Sequence, residues 1–322
     1  MIDIKTNNYL VNEEIQNNLE NIIKNKLFSN GYIFYGPDGI GKKQAALKFI
    51  NDIFKNYSSS SDIDQKIKDN NHPDYLLIEP TYLVKGKLIN RSNSELQKSN
   101  NKETIRIDQI RNIKQFLGQK AIESEKKIIL IVDAHLLNEA ASNCLLKTLE
   151  EPTNGIFILL TSSIKLIIDT ITSRCQLIRF KSYSYKDIQE YIKENFKSKM
   201  FEFKKEIDLQ YLANTSNGSP GKMLENINIW EEIPKEIKDY LEIPINDNLK
   251  ILKISKFLTE KLENHQQIIL INLIQYKWWR KTKNKKIIQE LETLKKYINI
   301  YVQPRLAWEV TLLKIAAKDF NF

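Results

Sequence analysis

A chain of 322 residues, 42% apolar and 28% charged with a formal charge of +9, has room for two or three domains, each with its own core. No apolar run reaches the ~18 residues of a membrane span, and the opening MIDIKTNNYLVNEE lacks the basic and apolar regions of a signal peptide, so a soluble, cytoplasmic protein with no membrane partner is expected. Two cysteines, Cys144 and Cys175, stand far from any second ligand at metal-binding spacing and cannot build a disulfide framework.

In chain order, Glu14 to Leu27 carries apolar residues at helical intervals and is expected to lie against a first strand, Tyr32 to Tyr35. Gly36-Pro37-Asp38-Gly39-Ile40-Gly41-Lys42-Lys43 follows, then the helical Gln44 to Phe54. This strand, loop, helix order is the context a phosphate-binding loop requires. Gly36, Gly39 and Gly41 let successive backbone N–H groups turn inward around phosphate oxygens, and Lys42 would reach the terminal phosphates. Lys43, however, stands where a Ser or Thr hydroxyl would hold Mg²⁺. The polar, Ser-rich stretch 56–72 reads as a loop, and 85–103 as a surface insertion or disordered loop. Ile105 to Phe116 reads as a helix with Asp108 as its N-cap.

The centre of the chain is the stretch from Lys126 to Cys175. Ile128 to Val132 is a β-branched and leucine run ending in Asp133, as in a strand buried on both faces of a parallel sheet, where ligands meet the C-terminal edge. Glu139 to Glu150 is helical and stops at Pro152, and Ile156 to Leu160 is a second buried strand ending in Thr161 and Ser162. Asp133 suits a metal site or a strand-end cap, and Ala134 follows it. His135, one position on, should be turned elsewhere by the loop that follows. Arg174 then precedes the strand-like Gln176 to Phe180.

Beyond Phe180 the pattern is helical: Lys186 to Glu194, Asp208 to Asn214 and Pro220 to Ile227. Pro234 and Pro244 mark a boundary, after which Ser255 to Leu262, Gln266 to Trp279, Lys286 to Tyr297 and Pro304 to Ala317 form an all-helical region. Its stripe Ile268, Leu270, Ile271, Leu273 and Ile274 is too apolar to stay exposed and is expected to serve assembly. Residues 235–322 hold 17 basic against 10 acidic side chains. Within them Lys277 to Lys286 (KWWRKTKNKK) reads either as helix packing by Trp278 and Trp279 with solvated lysines, the preferred reading, or as base stacking among cations.

The segments GPDGIGKK, HPDYLLIEP (His72 to Pro80), IRIDQIR (Ile105 to Arg111), LLKTLEEP (Leu145 to Pro152), TSRC (Thr172 to Cys175), GSPGK (Gly218 to Lys222) and QPRLA (Gln303 to Ala307) run through almost the whole chain. Together they resemble the delta-prime family of DNA polymerase III clamp-loader subunits, within the AAA+ superfamily. The resemblance implies an α/β P-loop AAA+ domain with a parallel sheet and flanking helices at 1–181, a small helical lid at 182–234 and an all-α collar domain at 235–322. It makes Gly36, Gly39, Gly41, Lys42, Asp133, Thr161 and Lys222 a degenerate nucleotide site that binds ATP or ADP weakly without hydrolysis. Thr161 is the first sensor, and Lys222 stands where a sensor arginine is usual. It makes Arg174 an arginine finger acting in trans on a neighbouring ATPase. The implied partners are gamma/tau and delta subunits, the beta sliding clamp and primed DNA. Many relatives carry a four-cysteine zinc module within 56–72, and its absence here implies no zinc. Two other functions compete: a self-sufficient AAA+ ATPase acting on DNA, which would need Ser or Thr at 43 and Glu at 134, and a free-standing DNA-binding protein.

Overall fold

The computed structural model describes residues 12–57, 62–84, 87–90, 103–151, 154–184, 186–188, 190–191, 215–300 and 303–317. Its strands are β1 (Gly31–Tyr35), β2 (Tyr75–Ile78), β3 (Thr81–Val84), β4 (Lys87–Asn90), β5 (Lys127–Ile131), β6 (Gly155–Thr161) and β7 (Gln176–Arg179). Five of them form one sheet in the order β2-β5-β6-β1-β7, every pairing parallel. The flanking helices are α1 (Glu13–Lys24), α2 (Lys42–Lys55), α3 (Ile63–Lys68), α4 (Ile107–Leu117), α5 (Glu139–Glu150) and the single turn α6 (Asp169–Thr172).

Alternation along the strands explains why the runs are apolar throughout. Tyr32, Phe34, Ile128, Leu130, Ile156 and Ile158 point to one face, where Leu19 of α1, Phe49 and Ile53 of α2 and Ile63 of α3 cover them. Ile33, Ile129, Ile131, Phe157 and Leu159 point to the other, against Ile110 and Ile113 of α4, Ala141 and Leu145 of α5 and Ile171 of α6. A sheet buried on both faces leaves only its strand ends for chemistry.

Three local readings are corrected. Residues 56–72 include α3, whose Ile63 and Ile67 lie one turn apart and are both buried; two apolar residues in a polar stretch carry too little periodicity to reveal a short helix. Within 85–103, Lys87–Asn90 is a strand that pairs antiparallel with β3, while 91–102 lie outside the described residues. Asp108 does not cap α4. The N-cap is Arg106, whose N–H donates to Gln109 Oε1 at 3.0 Å, and Asp108 instead pairs with Arg111 at 2.9 Å.

The HPDY segment earns its composition from packing. Asp74 is fully buried, and its carboxylate accepts the backbone N–H groups of Ile122 (2.9 Å), Glu123 (2.7 Å) and Ser124 (2.9 Å) together with the Ser124 hydroxyl (3.2 Å). Next to it His72 stacks on Phe54 at 4.0 Å, accepts the Asp74 N–H at Nδ1, and turns Nε2 to 3.7 Å from Glu123, which Lys66 also engages at 2.7 Å. Burial lowers the His72 pKa below its ordinary value; the nearby carboxylates of Glu123 and Asp74 oppose this only in part.

Contacts divide the chain into two compact units, one built from Thr6–Asn195 together with Gly218–Gly221, the other from Lys222–Phe322 with Met1–Lys5 and Phe196–Asn217. The segment 182–234, read as a lid, is thus shared between them; the helix expected from Lys186 to Glu194 is described, and helical, only at 186–188 and 190–191, and the one expected from Asp208 to Asn214 lies outside the described residues. The second unit contains α7 (Pro220–Glu232) from Lys222 on, α8 (Lys235–Tyr240), α9 (Asn248–Lys261), α10 (Asn264–Thr282), α11 (Lys285–Asn299) and α12 (Pro304–Ala317). Leu270, Ile271, Leu273 and Ile274 are buried in its own core. The stripe therefore stabilises the unit itself, and its apolar character is no argument for a surface that needs a partner. Trp278 and Trp308 are fully buried with their indole N–H groups donating to Leu241 O and Gln267 Oε1, both at 2.9 Å. None of the described helices is long and apolar enough to cross a membrane.

Candidate functional site

Because β1 lies between β6 and β7, the loop after β1 opens at the C-terminal edge beside the end of β6. Tyr35 is in register with Thr161, and the Gly36 N–H donates to Thr161 O at 3.3 Å. On the other side of β6, Ile131 is opposite Leu159, which puts Asp133 at the same edge. The sheet therefore brings Gly36, Gly39, Gly41, Lys42, Asp133 and Thr161 to one end.

Gly36 has φ +153°, and a Cβ there would stand 2.2 Å from Phe180 O, so the turn out of β1 requires glycine. Gly41 is the N-cap of α2 in the left-handed region, φ 97°. Lys42 starts that helix, but its ammonium turns back to donate to Gly36 O at 2.6 Å and Pro37 O at 2.7 Å, with Asp38 at 3.9 Å, and only 10% of its side chain is exposed. The loop's apex is held as well. Ser219 Oγ donates to Asp38 O at 2.6 Å and the Gly221 N–H donates to Gly39 O at 2.8 Å. A Cβ on Gly221 would lie 2.7 Å from Gly39 Cα, which accounts for the glycine in GSPGK. Lys222, the next residue, is exposed in the first turn of α7 and belongs to the other unit.

Lys43 forms an ion pair with Glu79 just beyond β2, at 2.8 Å. An ammonium thus replaces the Mg²⁺-binding hydroxyl and has its own carboxylate. Asp133 adopts a left-handed conformation, φ 50° and ψ 48°, which turns the chain into the short 3₁₀ segment Ala134–Leu136, closed by Leu136 N–H to Asp133 O at 2.8 Å. That turn carries His135 toward β6, contrary to the sequence reading: its Nδ1 is 3.3 Å from Thr161 Oγ1. The fully buried Thr161 hydroxyl also lies 3.0 Å from Ser163 O, and so ties the strand end locally. Next to the loop, a crevice of about 50 Å³ is lined by Ile40, Gly41, Gln44, Lys48, Phe180 and Tyr183 among others. Ligand pockets start near ~300 Å³. A Mg²⁺-nucleotide does not fit this arrangement, since its cation site holds Lys43, Lys42 is engaged by the loop, and the crevice is far smaller than a nucleoside needs.

Arg174 is elsewhere, just after α6. Its guanidinium pairs with Glu150 at the end of α5 (2.7 Å) and donates to Thr170 O (2.9 Å), and 39% of the side chain remains exposed. The neighbouring Glu151 pairs with Lys114 of α4 at 2.8 Å. Both carboxylates of LLKTLEEP are therefore structural anchors, and the first holds the arginine. Sequence reasoning missed Glu79, Glu150, Ser219 and Asp74 as partners, because each pairs with a residue far away in the chain.

A family model described as DNA polymerase III, delta subunit, matches residues 11–184, and one described as cyanobacterial DNA polymerase III delta prime, C-terminal domain, matches residues 187–315. The chain belongs to the delta-prime family of DNA polymerase III subunits. It is 29% identical over 178 residues to DNA polymerase III subunit delta′ of Bacillus subtilis, covering 53% of this chain and 48% of that one. The corresponding subunit of Pseudomonas aeruginosa is 30% identical over 154 residues, covering 46% and 42%. The chain thus matches under half the length of these relatives. Among solved structures, a gamma-subunit-related protein of DNA polymerase III from Thermotoga maritima has a TM-score of 0.53 at 16% identity, covering 93% of this chain and 99% of that one, which bears on the fold alone. The fold is that of the P-loop AAA+ class, with a helical C-terminal region.

Proposed function

We propose that this delta-prime family member acts within a clamp loader without hydrolysing ATP, and completes the site of an adjacent gamma/tau-type subunit with Arg174 while a delta-type subunit engages the beta clamp on primed DNA. The observation that carries the reading is the state of Arg174: anchored by Glu150 and Thr170, yet over a third exposed at the surface. A guanidinium held in one orientation is prepared to stabilise charge developing on a phosphoryl group that another chain supplies. The protein's own loop supports the same division of labour, because Lys43 is paired with Glu79 and Ala134 offers no carboxylate to orient water.

The test is ATP turnover by the pure chain, by the gamma/tau and delta subunits without it, and by the reconstituted complex. The pure chain is expected to stay at background, and the complex to lose clamp-stimulated turnover with Arg174→Ala; a finger is worth roughly 10³- to 10⁵-fold at its site. Arg174→Lys should rescue little, since a point charge does not reproduce the planar fork. Steady turnover by the pure chain that vanishes with Lys42→Ala, or unchanged turnover in an Arg174→Ala complex whose sole competent site adjoins this subunit, overturns the reading.

A further inference from the structure

The ambiguous segment KWWRKTKNKK divides by helical face once α10 and α11 are in place. On one face Trp278 is core, and Lys277 lies over the Trp230 ring at 4.2 Å and pairs, like Lys281 at 3.0 Å, with Glu242. On another face Asn272, Gln275, Tyr276 and Trp279, spaced i, i+3, i+4 and i+7, line a groove of about 740 Å³ with Lys285, Ile288 and Gln289 of α11. Thr215 and Asn217 complete it, so the whole groove belongs to the C-terminal unit.

The composition of this groove is unusual. Trp279 is 36% exposed although Trp278 beside it is fully buried, so one indole of the pair has been left out of the core. Lys283 holds its ammonium 5.7 Å from the Trp279 ring, from a left-handed position (φ 50°) in the tight turn between the two helices. Arg280 lies 5.6 Å from the Tyr276 ring. None of the described residues lining the groove is acidic; Glu292, which accepts from Gln275 at 3.0 Å, is itself paired with Lys295 at 2.7 Å. An aromatic face for stacking with ammonium groups beside it for phosphates is the chemistry that holds unpaired nucleotides. An acidic peptide would use the cations but leave the exposed indole without a matching group.

We infer that the groove between α10 and α11 binds single-stranded DNA, with Trp279 as the stacking platform and Lys283 and Lys285 as phosphate contacts. This is a second site, distinct from the phosphate loop and from Arg174, and it does not depend on either. It is tested with the full chain by fluorescence anisotropy of a labelled thymidine oligonucleotide over a salt series. Binding should weaken with salt, and Lys283→Glu with Lys285→Glu should flatten the log–log slope by more than about 1, since single strands contribute roughly 0.7 per phosphate contact. Trp279→Ala should weaken binding about 5- to 150-fold, the range for one base stack, while Trp279→Phe should retain most of it. Absence of binding at low salt, equal affinity of Trp279→Ala and the parent, or displacement of the oligonucleotide by polyglutamate at equal charge overturns the inference. Arg174→Ala should bind the oligonucleotide like the parent, so failure here and failure of the trans-acting reading are distinguishable.

Discussion

Replacing Asp74 by alanine should unfold the P-loop unit at a markedly lower temperature while leaving the C-terminal unit unaffected. The carboxylate is fully buried and accepts three backbone N–H groups and one hydroxyl from residues 122–124. Hydrogen bonds to a charged acceptor contribute about 1.5–3 kcal/mol each, so four set an upper limit near ~6–12 kcal/mol. Ile122 is exposed, so water can replace much of what the N–H groups lose, which brings the expected loss to about 3–4 kcal/mol. For a unit of this size each kcal/mol shifts Tm by roughly 2–4 °C, so the midpoint should fall by about 6–16 °C. Asp74→Asn keeps one acceptor oxygen but turns an amide toward a donor, and should fall between the two. Thermal unfolding is followed by calorimetry, and two transitions are expected, one for each unit. A drop below about 2 °C for the alanine variant would refute the claim that this cage fixes the 122–124 turn to β2.

Burial depresses the pKa of His72, so the unfolded chain takes up its proton first and stability is complete above the unfolded value of about 6.5 and declines as pH falls below it. Urea midpoints between pH 7.5 and 5 should show this decline in the parent and a smaller one in His72→Gln. Arg174→Ala removes one half-exposed ion pair of about 0.2–1 kcal/mol, and calorimetry should find its Tm within about 4 °C of the parent even where turnover of the complex collapses. Burial pushes the Cys175 thiol up to about 11, so iodoacetamide at pH 8 should leave it unmodified in the folded chain, as peptide mass mapping would detect.

The fold was legible because its strands are uninterrupted apolar runs and its long helices repeat every three to four residues, patterns set by burial on two faces or one. The boundaries of α5 were readable to the residue from Glu139 and Pro152. Short elements were not, since α3 shows only Ile63 and Ile67 and β4 only two apolar residues. At the site, the type of each residue was legible but its partner was not. Lys43 could be recognised as the wrong group for Mg²⁺, but the carboxylate that keeps it, Glu79, is 36 positions away and follows a different strand. The orientation of His135 depended on a single left-handed residue, Asp133, for which the sequence has no marker as plain as glycine.

The grip of Ser219 and Gly221 on Asp38 and Gly39 makes the P-loop unit discontinuous, with its last four residues, Gly218–Gly221, supplied after a long excursion of the chain. A gene fragment cut at residue 195 would encode every strand of the sheet and still omit the clasp on its glycine loop. Peptide 218–221 carries too little buried surface to return unaided, so its local concentration depends wholly on the covalent tether. Recombination that exchanges the helical region of such a chain would therefore also exchange the clasp, and a chimaera joined after Gly221 keeps a piece of its parent that one joined at 195 loses.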